Sequence, residues 1–415
     1  MRRLIVCLNC EPVGTLDQDD SGMLEFRYGT EWLNRTDAPP LSRSLPLQSE
    51  PFRGKKARPF FAGILPDEEP RKKIASILGI SERNDFAMLE RIGGECAGAV
   101  SLLPEGMPPS AVDKMSMREL NEKEFQDIIT ELPRRPLLAG EDGLRLSLAG
   151  AQDKLPVVMH GSSIALPLDN TPSTHIIKPE PEHFPGLVAN ESLCMTLAKE
   201  VGLNVPLVTI RLVGNKSCII VQRYDRIISP EGTVTRIHQE DFCQALGFPP
   251  DRKYQQEGGP LLRDCISLLR EWSTTPVLDI RDFLDGLIFN VLIGNADAHG
   301  KNYSLLYSGR ERRLAPFYDL VCTLVWPELS KTPAMKIGQS ESIKTITAVN
   351  WQKMTHEARL GWPMVKERIM GLSQKTIDTL QKPQLKGMAG GDAMSGRVAG
   401  IIEERASSML QSMRI

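Results

Sequence analysis

The chain has 415 residues, more than one hydrophobic core usually serves, so two domains or a bilobal domain with an appended module are expected. Its 41% hydrophobic and 25% charged residues are those of an ordinary globular protein, and no uninterrupted apolar stretch approaches the roughly 18 residues of a membrane span. The 50 basic and 52 acidic residues leave a formal charge of −2, which excludes a global electrostatic attraction to DNA or to an anionic membrane.

Residues 1–7 are basic and then apolar, but Asn9 and Glu11 follow at once, without a long apolar region or a small-residue cleavage site. This start reads as the first strand of a cytoplasmic protein. Alternation over residues 3–28, with turn signals at 11–14 and 17–22, predicts three short antiparallel strands. Helices are expected around Phe60 and Phe61 and over 70–79, where Ile74, Ile77 and Leu78 recur at helical spacing. The basic runs 53–58 and 134–135 are read as solvated loops. The eight cysteines lie scattered in apolar segments, as reduced core thiols do, and Cys7 and Cys10 lack the second pair that a zinc site needs.

A linker is predicted at 106–110, then a helix opened by a capping box at Ser116 and Glu119 and running to about Leu132, before Pro133 and Pro136. A second β-rich region is expected over 144–221, interrupted by a helix over 188–201 that Gly202 ends. Beyond Phe242 the pattern is mainly helical, and the glycine-rich stretch 387–392 reads as a loop before a last helix. The expected division is 1–108 as an N-terminal module, 109–143 as a linker with one helix, 144–236 as a β-rich nucleotide-binding part and 237–415 as a helical lobe with the catalytic loop.

The most informative stretch is GNADAHGKN at 294–302, polar directly after an apolar helical segment at 283–293. Asp297 followed five residues later by Asn302 has the spacing of a kinase catalytic loop, in which the carboxylate takes the proton of the attacking hydroxyl and the amide oxygen holds magnesium. His299 and Lys301 would add donors or positive charge near a transferred phosphoryl group. A helix end with a turn would use similar residues, whereas a Walker A loop is rejected on glycine spacing and on Asn302 in place of Ser or Thr. Asp319, after Tyr318 in APFYD and one predicted hairpin further on, is placed to be a second metal carboxylate, or else a helix N-cap.

Upstream, Lys178 ends the β-like run THIIK, where it could meet α and β phosphates with Glu191 on the next helix as its ion-pair partner. Gln222, Arg223, Tyr224 and Asp225 follow an apolar strand and suit an adenine hinge, though an edge strand meeting a turn would also look so. The small-residue stretch from Ser147 through Ala149, Gly150, Ala151, Gln152 and Asp153 to Lys154 would let backbone N–H groups approach phosphates, as it would let a tight hairpin form. The order of these elements along the chain carries more than any one of them.

With these residues in place the sequence resembles the HipA family of bacterial toxin kinases over nearly its whole length. SLAGAQDK at 147–154 resembles that family's phosphate loop, THIIK its ATP lysine, VQRYD its hinge, GNADAHGKN its catalytic loop and PFYD its metal motif. SLPL at 44–47, FFAGILPDE at 60–68 and IGGECAGAVSLLP at 92–104 resemble the small domain that precedes the kinase core. The resemblance implies an α+β, bilobal, protein-kinase-like fold, with a small β-rich N-terminal module and a mostly helical C-terminal lobe. It implies ATP and Mg2+ as cofactors, Asp297 as base, Asn302 and Asp319 as metal ligands, Lys178 on phosphate and Ser147 as an inhibitory autophosphorylation site. Gln222 departs from the Glu of the best-known member, which leaves adenine recognition there to the backbone.

The resemblance further implies restraint by a HipB-like helix-turn-helix antitoxin, DNA contact mainly through that antitoxin, no membrane, and an aminoacyl-tRNA synthetase, classically glutamyl-tRNA synthetase, as protein substrate. Two other readings compete: a small-molecule kinase with a related loop, and a non-catalytic corepressor in a DNA-bound toxin–antitoxin complex. The presence of Asp297, Asn302 and Lys178 together argues against the second.

Overall fold

The computed structural model describes residues 2–107 and 116–414. Residues 108–110 of the expected linker lie outside them. The described chain divides into two units, one of Met1–Pro181, Arg211–Pro250 and Leu305–Glu311 and one of Glu182–Ile210, Asp251–Ser304 and Arg312–Ile415.

In the first unit an antiparallel sheet runs in the order Phe52–Arg53, Leu24–Tyr28, Glu11–Gln18, Arg2–Leu8, Val100–Pro104. The three N-terminal strands form as the alternation predicts, but the first turn is not at 11–14. Asn9 and Cys10 make it, both at positive φ, and Gly14 lies inside a strand where an added Cβ would sit 2.1 Å from Arg27 O. Helices Arg58–Gly63, Glu68–Leu78 and Asp85–Ile92 share this unit, and Phe26, Phe60, Phe61 and Phe86 are buried in its core. Gly79 caps the second of these helices in the left-handed conformation.

The second sheet contributes, in order, Lys216–Gln222, His175–Pro179, Leu155–His160, Ser163–Leu168 and Ser116–Leu120. Here the expected helix start is corrected. Residues 116–120 pair as an edge strand with 164–168, and the helix is Glu122–Glu131, with a capping box between Asn121 and Glu124. Both S-x-x-E and N-x-x-E occur in this stretch, and sheet pairing claims the first.

The second unit holds the helices Leu187–Glu200, Leu262–Trp272, Pro276–Ile293, Ala348–Ala358, Trp362–Leu380, Pro383–Gly391 and Ala393–Arg414. Pro276–Ile293 is buried without interruption from Phe283 to Ile293, which is why that part of its sequence is apolar apart from Asp285 and Asn290. Residues 387–391 are helical, so the loop expected there shrinks to a break at Asp392, whose carboxylate accepts from the N–H and hydroxyl of Ser395. The fold is α+β, with sheets in the N-terminal part and helices in the C-terminal part. Among the described residues no helix is long and apolar enough to cross a membrane.

Candidate active site

Each unit carries part of the expected site. In the first, Ser147 is fully buried: its N–H donates to Glu95 O at 2.9 Å and its hydroxyl to Ile64 O at 3.0 Å. The loop after it is drawn in by Lys154 Nζ, which donates to Ala149 O at 2.6 Å, and by the Asp67 N–H, which donates to Gly150 O at 3.2 Å. Gly150 has φ +110°, and a Cβ there would lie 2.4 Å from Lys154 Nζ, so this close turn requires glycine. The Gln152 side-chain nitrogen is buried and, among the described residues, donates to nothing. Burial raises the Asp153 carboxyl above its ordinary pKa.

Lys178 is buried within the strand His175–Pro179, opposite Ile219, and Gln222 closes the neighbouring strand opposite His175. Beyond Gln222 the structure finds a use for residues that sequence reading placed only at a hinge. Arg223 and Asp225 are buried in an ion network with Glu95, Arg226 and Arg236. Glu95 accepts from all three arginines and from the N–H and hydroxyl of Ser173, while Asp225 accepts from Arg223 and the Gly98 N–H and forms an ion pair with Arg226. Burial pushes the Glu95 carboxyl up, but the three guanidinium groups outweigh it and hold the pKa down at about 2. Arg223 and Arg226 likewise outweigh burial to depress Asp225. The side chains of Arg223 and Asp225 are thus occupied, and the Tyr224 phenol donates to Gln239 Oε1. Glu95 itself carried no assigned role in the sequence; its one signal was a carboxylate inside the apolar stretch 92–104.

In the second unit the helix Pro276–Ile293 ends at Gly294, whose φ of +73° starts the stretch 294–302. Asn295 then ties the loop down: its N–H donates to Asn290 O at 2.8 Å, its amide to Asn290 Oδ1 at 2.8 Å and to Asp319 O at 3.4 Å, and its Oδ1 accepts the Asp297 N–H at 3.1 Å. Thr323 clamps from the other side, accepting the Ala296 N–H at 2.9 Å and donating to Gly294 O at 3.0 Å. Tyr318 donates to Lys301 O at 2.7 Å. The stretch 318–323 is therefore stitched onto the loop 294–301, which brings the expected base and both expected metal ligands into one hydrogen-bonded assembly.

Asp297 is exposed, whereas His299 and Lys301 are buried. Asn302 Oδ1 is buried and, among the described residues, accepts no hydrogen bond. A buried acceptor with no donor costs about 1–3 kcal/mol, which a hard cation would recover. Asp319 has φ +54° and no α-helix follows it, so it is not a helix N-cap. Non-glycine residues in that conformation concentrate at functional sites. Glu191 is buried on the helix Leu187–Glu200. Asn190, Thr323 and Tyr254, whose phenol donates to Asp297 Oδ1 at 2.8 Å, were not singled out from the sequence, because their partners lie far along the chain.

Comparison with known proteins bears on both units. Residues 4–103 match the HipA N-terminal domain and residues 146–381 the HipA-like C-terminal domain. The chain is 45% identical over 373 residues, 89% of each chain, to the Sinorhizobium fredii protein Y4mE, described as a candidate kinase. It is 34% identical over 320 residues, 74% of this chain and 72% of the other, to the serine/threonine-protein kinase toxin HipA of Shewanella oneidensis. A solved Shewanella oneidensis complex of HipA, HipB and operator DNA contains a chain that superposes with a TM-score of 0.87 at 27% identity, covering 99% of this chain and 98% of that one.

Proposed function

This chain belongs to the HipA family of toxin kinases, and from that premise we propose that it is a serine/threonine protein kinase that transfers the γ-phosphate of ATP to a protein hydroxyl. The observation that carries the reading is that the stretch bearing Asp319 is hydrogen-bonded onto the loop bearing Asp297 and Asn302, with the Asn302 oxygen buried and, among the described residues, lacking a donor.

In the reaction Asp297 takes the proton as the acceptor oxygen bonds to phosphorus and the bond to the ADP oxygen breaks. Asn302 Oδ1 and the Asp319 carboxylate would hold Mg2+, which when bound neutralises charge on the phosphates. Lys178 and the N–H groups of 147–154 would meet the nucleotide phosphates. The catalytic work of the protein is positioning and charge stabilisation, the task for which a rigid, hydrogen-bonded loop is suited.

The same reading makes Ser147 an autophosphorylation site, a HipB-like antitoxin the restraining partner and the route to DNA, and an aminoacyl-tRNA synthetase the candidate substrate in the cytoplasm. The superposable chain from the HipA, HipB and operator DNA complex supports the antitoxin. Incubation with magnesium and γ-labelled ATP, followed by mass mapping, tests the proposal: label on Ser147 or on an added synthetase in the wild type, and none with Asp297→Asn, is expected. Label retained by Asp297→Asn would overturn it.

A further inference from the structure

We propose that Tyr254 is a positioning residue for phosphoryl transfer: its hydrogen bond to Asp297 Oδ1, 2.8 Å long, sets the rotation of the carboxylate that receives the acceptor's proton. The inference rests on the reading of Asp297 as the base.

The segment bearing Tyr254 is built to hold it there. Glu257 and Gly259 N–H groups both donate to Tyr254 O, at 3.0 and 2.9 Å, and the Gly258 N–H donates to Gln255 O at 3.1 Å. Gly258 has φ +80°, and a Cβ on Gly259 would fall 2.4 Å from Arg252 O, so the closed loop depends on this glycine pair. A run of bonds then fastens the loop beside the base. The Ala334 N–H donates to Ala296 O at 2.8 Å, the Gln255 N–H to Ala334 O at 2.9 Å, and the Lys336 N–H to Gln255 Oε1 at 2.7 Å. Tyr254 is thus one residue from a segment tied, through one strand of chain, to the residue that precedes Asp297.

Its ring is gripped as well. Lys253 Nζ sits 5.3 Å from the ring centroid, and the His299 ring meets it edge-on at 5.2 Å and 77°. The phenol therefore reaches Asp297 from a side chain whose rotamer is already restricted, and little entropy is lost in making the bond.

Proton transfer gives this geometry its use. As the acceptor O–H bond breaks, the proton must pass to a carboxylate lone pair aimed at it, while the new O–P bond forms and the ADP oxygen departs with the electron pair of the bond it loses. A carboxylate turned about Cβ–Cγ away from that line serves the step poorly, and small misplacements at a reacting centre cost up to about a hundredfold in rate.

The test is Tyr254→Phe, which keeps the ring contacts and removes the hydroxyl, assayed with wild type, Asp297→Asn and the double variant. The expected result is a fall in kcat of about tenfold to a hundredfold with the KM for ATP unchanged, while Asp297→Asn and the double variant both stay inactive. A Tyr254→Phe kcat within about twofold of wild type, or a loss confined to the KM for ATP, overturns the role of Tyr254 alone. A wild type that binds ATP yet transfers to no acceptor overturns the kinase reading and this inference with it.

Discussion

Asn190 and Cys322 exchange two hydrogen bonds, the Asn190 amide donating to Cys322 O at 3.0 Å and the Cys322 N–H donating to Asn190 Oδ1 at 2.8 Å. The side chain acts as a strand would, satisfying both polar groups of a buried peptide segment. It also anchors the chain three residues past Asp319 to the helix that carries Glu191. Asn190→Leu would bury two backbone groups without partners, at a cost of about 2–5 kcal/mol. Chemical denaturation should register that loss, and calorimetric titration with magnesium and ATP should show weakened binding as Asp319 loses its support.

The burial of Ser147 makes its modification incompatible with the loop as it stands. A phosphoserine adds about −1.5 to −2 charges, and neither the Ile64 carbonyl nor an enclosed site can accept them. Ser147→Asp should therefore displace residues 147–154 and abolish ATP binding in a titration. Ser147→Ala, losing one neutral hydrogen bond worth about 1 kcal/mol, should bind ATP as wild type does.

Asn302 offers a separation of stability from function. Replacing its oxygen removes a buried acceptor that finds no donor among the described residues, so Asn302→Ala should be as stable as wild type or slightly more so in metal-free thermal melts. The same variant should lose the extra stability that magnesium and ATP confer together on the wild type. Asp319→Asn should behave alike, since asparagine tolerates the φ of +54° at that position.

Two buried groups in the first unit predict opposite responses to pH. Burial lifts Glu240 to about 7, with Ser42, Tyr307 and the Arg43 N–H donating to it. A carboxyl raised above its ordinary 4.5 contributes full stability below that value and loses it as pH rises through about 7. Burial lowers His238, whose ring stands 5.1 Å from that of Tyr307, to about 4. A lowered histidine contributes full stability above 6.5 and loses it as pH falls towards 4. Each effect is on the order of 3 kcal/mol and the two oppose one another between pH 4.5 and 6.5. Glu240→Gln should uncover the histidine: relative to wild type, its melting temperature should climb with pH across that window.

Much of the molecule was legible as sequence because it is local. The alternation of residues 3–28, the mostly apolar run 283–293, Gly79 and Gly202 as helix stops, and the six-residue span from Asp297 to Asn302 are all patterns of near neighbours, governed by backbone sterics and by the repeats of helix and strand. Where two local signals competed, tertiary pairing chose. Ser116–Leu120 became an edge strand although it matches a capping box, and the glycines at 387–391 stayed helical. The site's supports were settled wholly at that level. Tyr254 reaches Asp297 across 43 positions, Asn190 reaches Cys322 across 132, and Glu95 gathers Arg223, Arg226 and Arg236 across 128 to 141. A hydrogen bond or ion pair is set by distance and direction in space, and no spacing along a single chain encodes it. The sequence by itself determined which groups could do the chemistry, and the packing of distant segments decided which of them are held still, which are buried and which are turned to structural use.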